Sequence, residues 1–435
     1  RSMECSSESA CQSGYCHKNG NDSLAPENAA TNDAKTCAKC AGSLPISIKT
    51  LGGSDLCELC FRSNVYGKYR LAVTTHAMIT PSDNVLIAFS GGSSSRVALQ
   101  FVHELQQKKQ ENFDASKDRA LRVFSASSVF IDDRIVHPNS ESQYDGAIEE
   151  MRSIISNLSP PTFNFIVAPI ESLFASDGKR KLVSLLSAVE DETGREDLLQ
   201  HLIMLALQKV AIENGFSKII LGSSTSRIAR HVLSSTVKGK GYSVSSDIHY
   251  VNAKWAVPVA LPLRDCTSVE LNSICKIDGL KTVEFLVKPT SSINNLVSSF
   301  LSSLQVDNPS RESTIVRTAG KLTPFSFNAL HEFDFGSTPL STIKRVKKNN
   351  INAMDYIKAD LFCCICNCPM ESKEAVEVAS LQGRCCSSCR FQILPRDPSK
   401  FEHFLSLMPK ENHISVSCLR EQIDEFLIYN SEEET

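Results

Sequence analysis

The cysteines carry the first chemistry, because their spacing is that of metal ligands. Cys37-Ala-Lys-Cys40 and Cys57-Glu-Leu-Cys60 are separated by sixteen residues. Each C-x-x-C sets two sulfurs on one tight turn. Two such turns close a tetrahedron of thiolates around Zn2+ with no open position, which is the chemistry of a structural site. Redox dithiols and an iron-sulfur cluster are the other uses of this spacing. A second group holds Cys363, Cys364, Cys366, Cys368, Cys385, Cys386 and Cys389. Within it Cys363-x2-Cys366 and Cys386-x2-Cys389 lie nineteen residues apart, so Cys363, Cys366, Cys386 and Cys389 are the expected second zinc set. The three extra thiols leave that choice of ligands open. Cys5, Cys11 and Cys16 are irregularly spaced and read as free thiols rather than ligands.

The second candidate is a loop. Val85-Leu86-Ile87-Ala88-Phe89 is a continuous apolar run, the pattern of a strand buried on both faces, and it stops at Ser90-Gly91-Gly92-Ser93-Ser94-Ser95. A helix-like pattern follows, with Val97, Leu99, Val102 and Leu105. Glycines let the backbone approach a ligand, serines offer hydroxyls, and a helix N-terminus carries partial positive charge. The three together suit an anion, with Ser90, Gly91, Gly92, Ser94 and Ser95 as its nucleotide-binding candidates. An ordinary strand-to-helix turn with a serine cap is the plainer reading of the same residues.

These residues need elements to hold them. Further strands are expected at 121–131, 163–169, 219–221 and 255–263, and helices at 145–157, 198–212 and 293–304. Strands spaced by helices make a doubly wound, mostly parallel α/β sheet, which binds ligands at the carboxyl ends of its strands. The expected division is a disordered tail (1–36), a zinc module (37–75), the α/β domain (76–305), an irregular basic linker (306–358), a second Cys-rich module (359–395) and a helical segment with an acidic tail (396–435). With 435 residues, 42% hydrophobic and 22% charged, a wholly disordered chain is excluded. A net charge of −3 excludes a globally basic nucleic-acid binder but not local basic patches. The longest apolar runs fall far short of the about 20 residues a bilayer requires. No secretory signal is visible, and clustered C-x-x-C pairs suit a reducing cytosol or nucleus.

In context, Val85 to Ser95 resembles the PP-loop of the N-type ATP pyrophosphatases, whose motif is S-G-G-x-D-S/T after a first strand. The flanking cysteine fingers and Ile219-Ile220-Leu221-Gly222 narrow the resemblance to the TtcA/TtuA-like tRNA thiolases. Lys68 to Ala72, Pro81 to Val85 and Leu261-Pro262-Leu263-Arg264-Asp265 resemble the second-subunit family of the eukaryotic cytoplasmic tRNA 2-thiolation enzyme. The likeness spans roughly residues 37–400. It implies a PP-loop (adenine nucleotide α-hydrolase-like) fold, two structural zinc ions, tRNA as a partner and cytoplasmic residence. It also implies a heterodimer with a catalytic paralogue that receives sulfur from a ubiquitin-related modifier. The departures matter more. The family's Asp falls on Ser94, and its later G-H-N-x-D-D falls on Gly222 to Arg227, with neither His nor acid. No Cys lies between Cys60 and Cys266, where active members carry theirs, and whether ATP still binds is left open.

The resemblance therefore implies a degenerate subunit needed for thiolation of wobble uridine (5-methoxycarbonylmethyl-2-thiouridine), contributing tRNA binding and assembly. Candidate phosphate contacts are Arg62, Lys68, Arg70, Arg227, Arg230, Lys238 and Lys240, with the run Lys344, Arg345, Lys347 and Lys348. An active adenylating thiolase and a zinc-ribbon scaffold without a tRNA role are the alternatives. Cys266, Cys275, His76, His201, His231 and His249 are expected to be structural, and Asp132-Asp133 and Glu149-Glu150 receive no acid-base role.

Overall fold

The structure is a computed structural model. It describes residues 36–42, 48–50, 53–116, 122–137, 141–283, 285, 290–328, 362–370 and 384–409. The tail with Cys5, Cys11 and Cys16, the Lys344–Lys348 run and the acidic C-terminus lie outside these residues.

A short hairpin, β1 (Ile48–Lys49) and β2 (Asp55–Leu56), leads into α1 (Glu58–Thr75). The apolar run then forms β3 (Asn84–Ala88), followed by α2 (Ser93–Ala115), β4 (Ser125–Asp132), α3 (Glu141–Ser156) and β5 (Asn164–Pro169). Next come α4 (Gly178–Ser187), α5 (Glu192–Glu213), β6 (Lys218–Leu221), α6 (Thr225–Val237) and the one-turn α7 (Val244–Asp247). After β7 (Val251–Asn252) and β8 (Val259–Ala260) stand α8 (Ser268–Ile277), α9 (Ile293–Asp307) and α10 (Arg311–Ala319). The second cysteine group leads into α11 (Ser387–Gln392) and α12 (Phe401–Leu407).

The six-stranded sheet has the order β5-β4-β3-β6-β8-β7, parallel throughout except for β7 against β8. It is doubly wound, as the pattern requires. Alternation along the strands divides the core: Leu86, Val129, Ile131 and Ile219 face α4, α5 and α6, whereas Val85, Ile87, Phe130 and Ile220 face α1, α2, α3 and α8. Each cysteine module closes one face. Cys37, Leu56 and Phe61 pack into the second core, and Cys363, Ile365, Cys386, Cys389 and Phe404 into the first.

Two expectations are corrected. The run 255–263 yields only Val259–Ala260 as strand, because Pro258 and Pro262 lack the N–H a ladder needs. The stretch read as irregular after 306 contains α10, which packs on α6 and α9 and buries Glu312, Val316 and Ala319.

Asp197, on α5, ties three segments together. Its carboxylate accepts from Lys238 Nζ at 2.7 Å and from Asn294 of α9 at 3.1 Å, with Lys240 Nζ at 3.5 Å. Burial pushes the Asp197 carboxyl up, but Lys240 and Lys238 outweigh it and hold the group below its ordinary range. Replacing Asp197 by Ala leaves two largely buried ammonium groups without their counter-charge, at a cost of about 3–5 kcal/mol. Urea unfolding at neutral pH measures this gap. Because the folded pKa is lowered, the carboxylate's contribution is present above about pH 4 and disappears as the pH falls through the folded value. The wild-type and variant stability curves therefore converge in acid.

Candidate metal centres and the strand-to-helix loop

The first cysteine module is a turn facing a helix start. The Cys37 N–H donates to the Gly42 carbonyl at 2.9 Å and the Ala41 N–H to the Cys37 carbonyl at 2.8 Å, closing the turn that holds Cys37 and Cys40. Cys57 is the N-cap of α1 and Cys60 lies in its first turn, where the helix end favours thiolates. The Cys57 N–H donates to Cys37 Sγ at 3.4 Å, and this backbone donation draws the Cys37 thiol down to about 6. The four sulfurs lie within 4.8 Å of one another.

The second module repeats the plan. The Cys363 N–H donates to the Cys368 carbonyl at 2.9 Å, with Asn367 left-handed at φ 50°. Cys386 caps α11, and Cys389 sits in its first turn. Here the sulfurs within 4.8 Å of one another are Cys363, Cys366, Cys368 and Cys386. Cys389 therefore gives way to Cys368 in the compact set, because the closed turn folds Cys368 back onto Cys363. Cys389 lies beside Cys363, Cys366 and Cys386. Cys364 and Cys385 lie 3.3 Å apart, and Cys385 also adjoins Cys363.

A Zn–S bond of about 2.3 Å places tetrahedral sulfurs about 3.8 Å apart. Cys40 to Cys57 and Cys366 to Cys386 are each 3.8 Å. Both tetrads therefore fit a tetrathiolate ion, and neither contains a His or carboxylate ligand. Every cysteine among the described residues is a free thiol.

The loop follows β3, at the carboxyl edge of the sheet's interior. Gly91 has φ 84°, and a Cβ there would lie 2.9 Å from both the Cβ and the carbonyl oxygen of Val283. The Val283 N–H donates to the Gly91 carbonyl at 3.0 Å, so the 281–283 segment rests on the loop. Gly222, after β6, is pressed against the backbone of Ser94 and Ser95, bringing the two loops into contact. Ser95 Oγ donates to the Gly92 carbonyl at 2.9 Å and Ser90 Oγ to Ser95 Oγ at 3.3 Å, while Ser94 supplies no carboxylate.

The second loop's hydroxyls are spent on structure. Ser224 accepts from the Arg227 N–H at 3.3 Å as the N-cap of α6. Thr225 Oγ1 donates to the Arg264 carbonyl at 2.7 Å, and Ser226 Oγ donates to Glu312 while accepting from the Ser268 N–H at 3.0 Å. Of the two thiols near the loops, Cys275 Sγ donates to the Ser93 carbonyl at 3.8 Å. Cys266 is fully buried and burial pushes it up to about 12; burial raises Cys275 as well. Asp132 pairs with Arg134 at 2.8 Å, and Asp133 accepts from the Tyr144 hydroxyl at 2.8 Å. Burial takes His201 down to about 4, and His231 faces Asp247 at 3.2 Å.

The basic candidates separate. Arg62 is held by Asp278 at 2.8 Å and by Glu104, and Lys68 by Glu270 at 2.7 Å. Lys238 and Lys240 belong to Asp197. Each of these four is already paired with a carboxylate of the same chain. Arg70, Arg227 and Arg230 are exposed. The sequence reading missed Glu312, Asp197 and the buried Arg96. The one linear signal for Arg96 is its place among the apolar residues of α2, next to Val97.

A family model described as cytoplasmic tRNA 2-thiolation protein 2 matches residues 292–402. The chain is 48% identical to the cytoplasmic tRNA 2-thiolation protein 2 of Arabidopsis thaliana, over 99% of its own length and 100% of that protein's. It is 42% identical to the protein of the same name from Oryza sativa subsp. japonica, over 92% and 90% respectively. In fold it is similar to a U34-tRNA thiolase of Methanococcus maripaludis solved with its [4Fe-4S] cluster. The TM-score is 0.50 at 16% identity, covering 66% of this chain and 88% of the other.

Elemental analysis of purified variants tests the two ligand sets. Cys57→Ser and Cys368→Ser are each expected to lose one metal equivalent and keep the other. Cys389→Ser is expected to keep both.

Proposed function

The chain belongs to the cytoplasmic tRNA 2-thiolation protein 2 family, and from that premise we propose that it is the non-catalytic subunit of a cytoplasmic tRNA thiolase. It serves 2-thiolation of the wobble uridine by binding tRNA and by assembling with a catalytic PP-loop paralogue. That paralogue supplies the intact S-G-G-x-D-S loop and the reactive cysteines, and the ubiquitin-related modifier delivers sulfur to the complex. Zinc in the two tetrads braces the fold, with Cys37, Cys40, Cys57 and Cys60 holding one ion and the Cys363 group the other.

The observation that carries this reading is the state of the two loops. Ser94 stands where a carboxylate would help organise magnesium and phosphate. Ser224, Thr225 and Ser226 are bound into caps and helix contacts. The nearby thiols Cys266 and Cys275 are buried and raised, which leaves little thiolate to carry sulfur. Arg70, Arg227 and Arg230 remain as tRNA phosphate contacts, joined by Lys344, Arg345, Lys347 and Lys348 outside the described residues.

One observation favours the second reading, an adenylating enzyme in its own right. The main-chain form of the loop persists, with Gly91 left-handed and Gly92 capping α2 without a side chain of its own. Backbone donors alone stabilise phosphoryl charge to a useful degree.

tRNA-dependent AMP formation separates the two. The metal-loaded chain alone is expected to form no AMP above background and no thiolated tRNA, with both appearing once the paralogue is added. AMP from the chain alone at the rate of the complex would sink the subunit reading. In filter binding of tRNA, Arg70→Gln, Arg227→Gln and Arg230→Gln should each weaken affinity similarly across tRNA sequences. Each should also lower the salt slope by about 1.

A further inference from the structure

One flank of α2 carries Arg96, Gln100, His103 and Gln107 on successive turns, a single helical stripe. With Ser153 of α3, Asn157 just past its end, and Lys281, this stripe lines a cavity of about 310 Å3. The cavity runs along the groove between α2 and α3, from Arg96 in the first turn of α2 to Gln107 three turns on. Its volume is at the lower end of the range for small-ligand sites, about 300–1,000 Å3.

Arg96 gives this cavity its chemistry. The side chain is only 7% exposed. Among the described residues the guanidinium has one hydrogen bond, Nη1 to Gln100 Oε1 at 3.2 Å, and its buried Nε has no partner. No carboxylate among those residues lies within ion-pair distance of it. The acids nearby are committed: Asp278 accepts from Arg62 Nε at 2.8 and 2.9 Å, and Glu104 accepts from Arg62 and from Gln100 Nε2. Glu150 is the one acid lining the cavity, and it is exposed on α3. Burial pulls the Arg96 pKa down from its ordinary value, the mark of a cation that burial leaves short of counter-charge. A buried, unpaired guanidinium is costly, and folding leaves this one beside an open cavity.

We propose that this groove is an oxyanion site that takes a phosphoryl group on the free edge of Arg96. The guanidinium fork matches two phosphate oxygens, and no other planar donor set of this kind lines the cavity. Lys281, at the rim, adds a second positive charge, and the Ser153 hydroxyl and the Asn157 amide add neutral polar groups. The phosphoryl group belongs either to the RNA backbone or to a small phosphate such as a nucleotide's. Arg96 follows the strand-to-helix loop directly, but none of the loop residues Ser90 to Ser95 lines this cavity.

The experiment is thermal unfolding of the metal-loaded full chain titrated with inorganic phosphate, against chloride at matched ionic strength. The wild type is expected to gain a saturable rise in Tm. Arg96→Met, which keeps the packing stem and removes the charge, is expected to lose that rise and to unfold no earlier than wild type without phosphate. Lys281→Ala changes an exposed side chain and is expected to raise the apparent Kd for phosphate about tenfold, which keeps the test valid should Arg96→Met fail to fold. Filter binding of tRNA to the same variants then names the source. Loss of tRNA affinity in parallel with phosphate points to the RNA backbone, and unchanged tRNA affinity points to a small phosphate. A wild type without a saturable response, or variants that respond to phosphate as the wild type does, overturns the proposal.

Discussion

The double-sided burial of β3 is the constraint on which the rest of the molecule depends. Val85 and Ile87 enter one core and Leu86 the other, and all three are inaccessible to solvent. A strand so placed requires neighbours on both edges and helices on both faces, which β4, β6 and the two helical layers supply. Its carboxyl end then opens where the chain must reverse into α2. That junction is where such folds bind ligands, and here it carries the glycine loop.

The two cysteine modules act within this frame rather than beside it. One packs on the α1–α2–α3–α8 face and the other on the α4–α5–α6 face, so the sheet is clasped from both sides. The second module is fitted closely: Gly194 of α5 lies under the Gln392 carbonyl so tightly that a Cβ would come within 1.9 Å of it. Lys240 faces the Cys366 and Cys389 sulfurs as well as Asp197. A buried polar network thus joins α5, α9 and the segment after α6 at the foot of the second cysteine module.

The hydroxyls of the second loop and two cations of α1 serve the architecture. Where related motifs place a His and acids, Ser224, Thr225 and Ser226 secure the start of α6 and reach α8 and α10. Arg62 and Lys68, exposed-looking on a helical wheel, bridge α1 to α2 and α8.

Much of this was legible in the sequence. C-x-x-C spacing is set by the geometry of a turn and a metal ion, so the first tetrad follows from the linear chain, as does β3, whose apolar run needs no partner to identify it. Local periodicity also announced α5 and α9, whose apolar faces repeat every turn. Tertiary structure alone brings Cys368 within 4.8 Å of Cys363, Cys366 and Cys386, because the turn that holds it folds back onto Cys363. It alone decided which cations stay free, since Arg62 meets Asp278 across 216 residues and Lys238 meets Asp197 across 41. It also left Arg96 buried with no carboxylate among the described residues in ion-pair distance. A sequence specifies spacing and period, whereas charge pairing depends on which distant segments the packed sheet brings within a few ångströms.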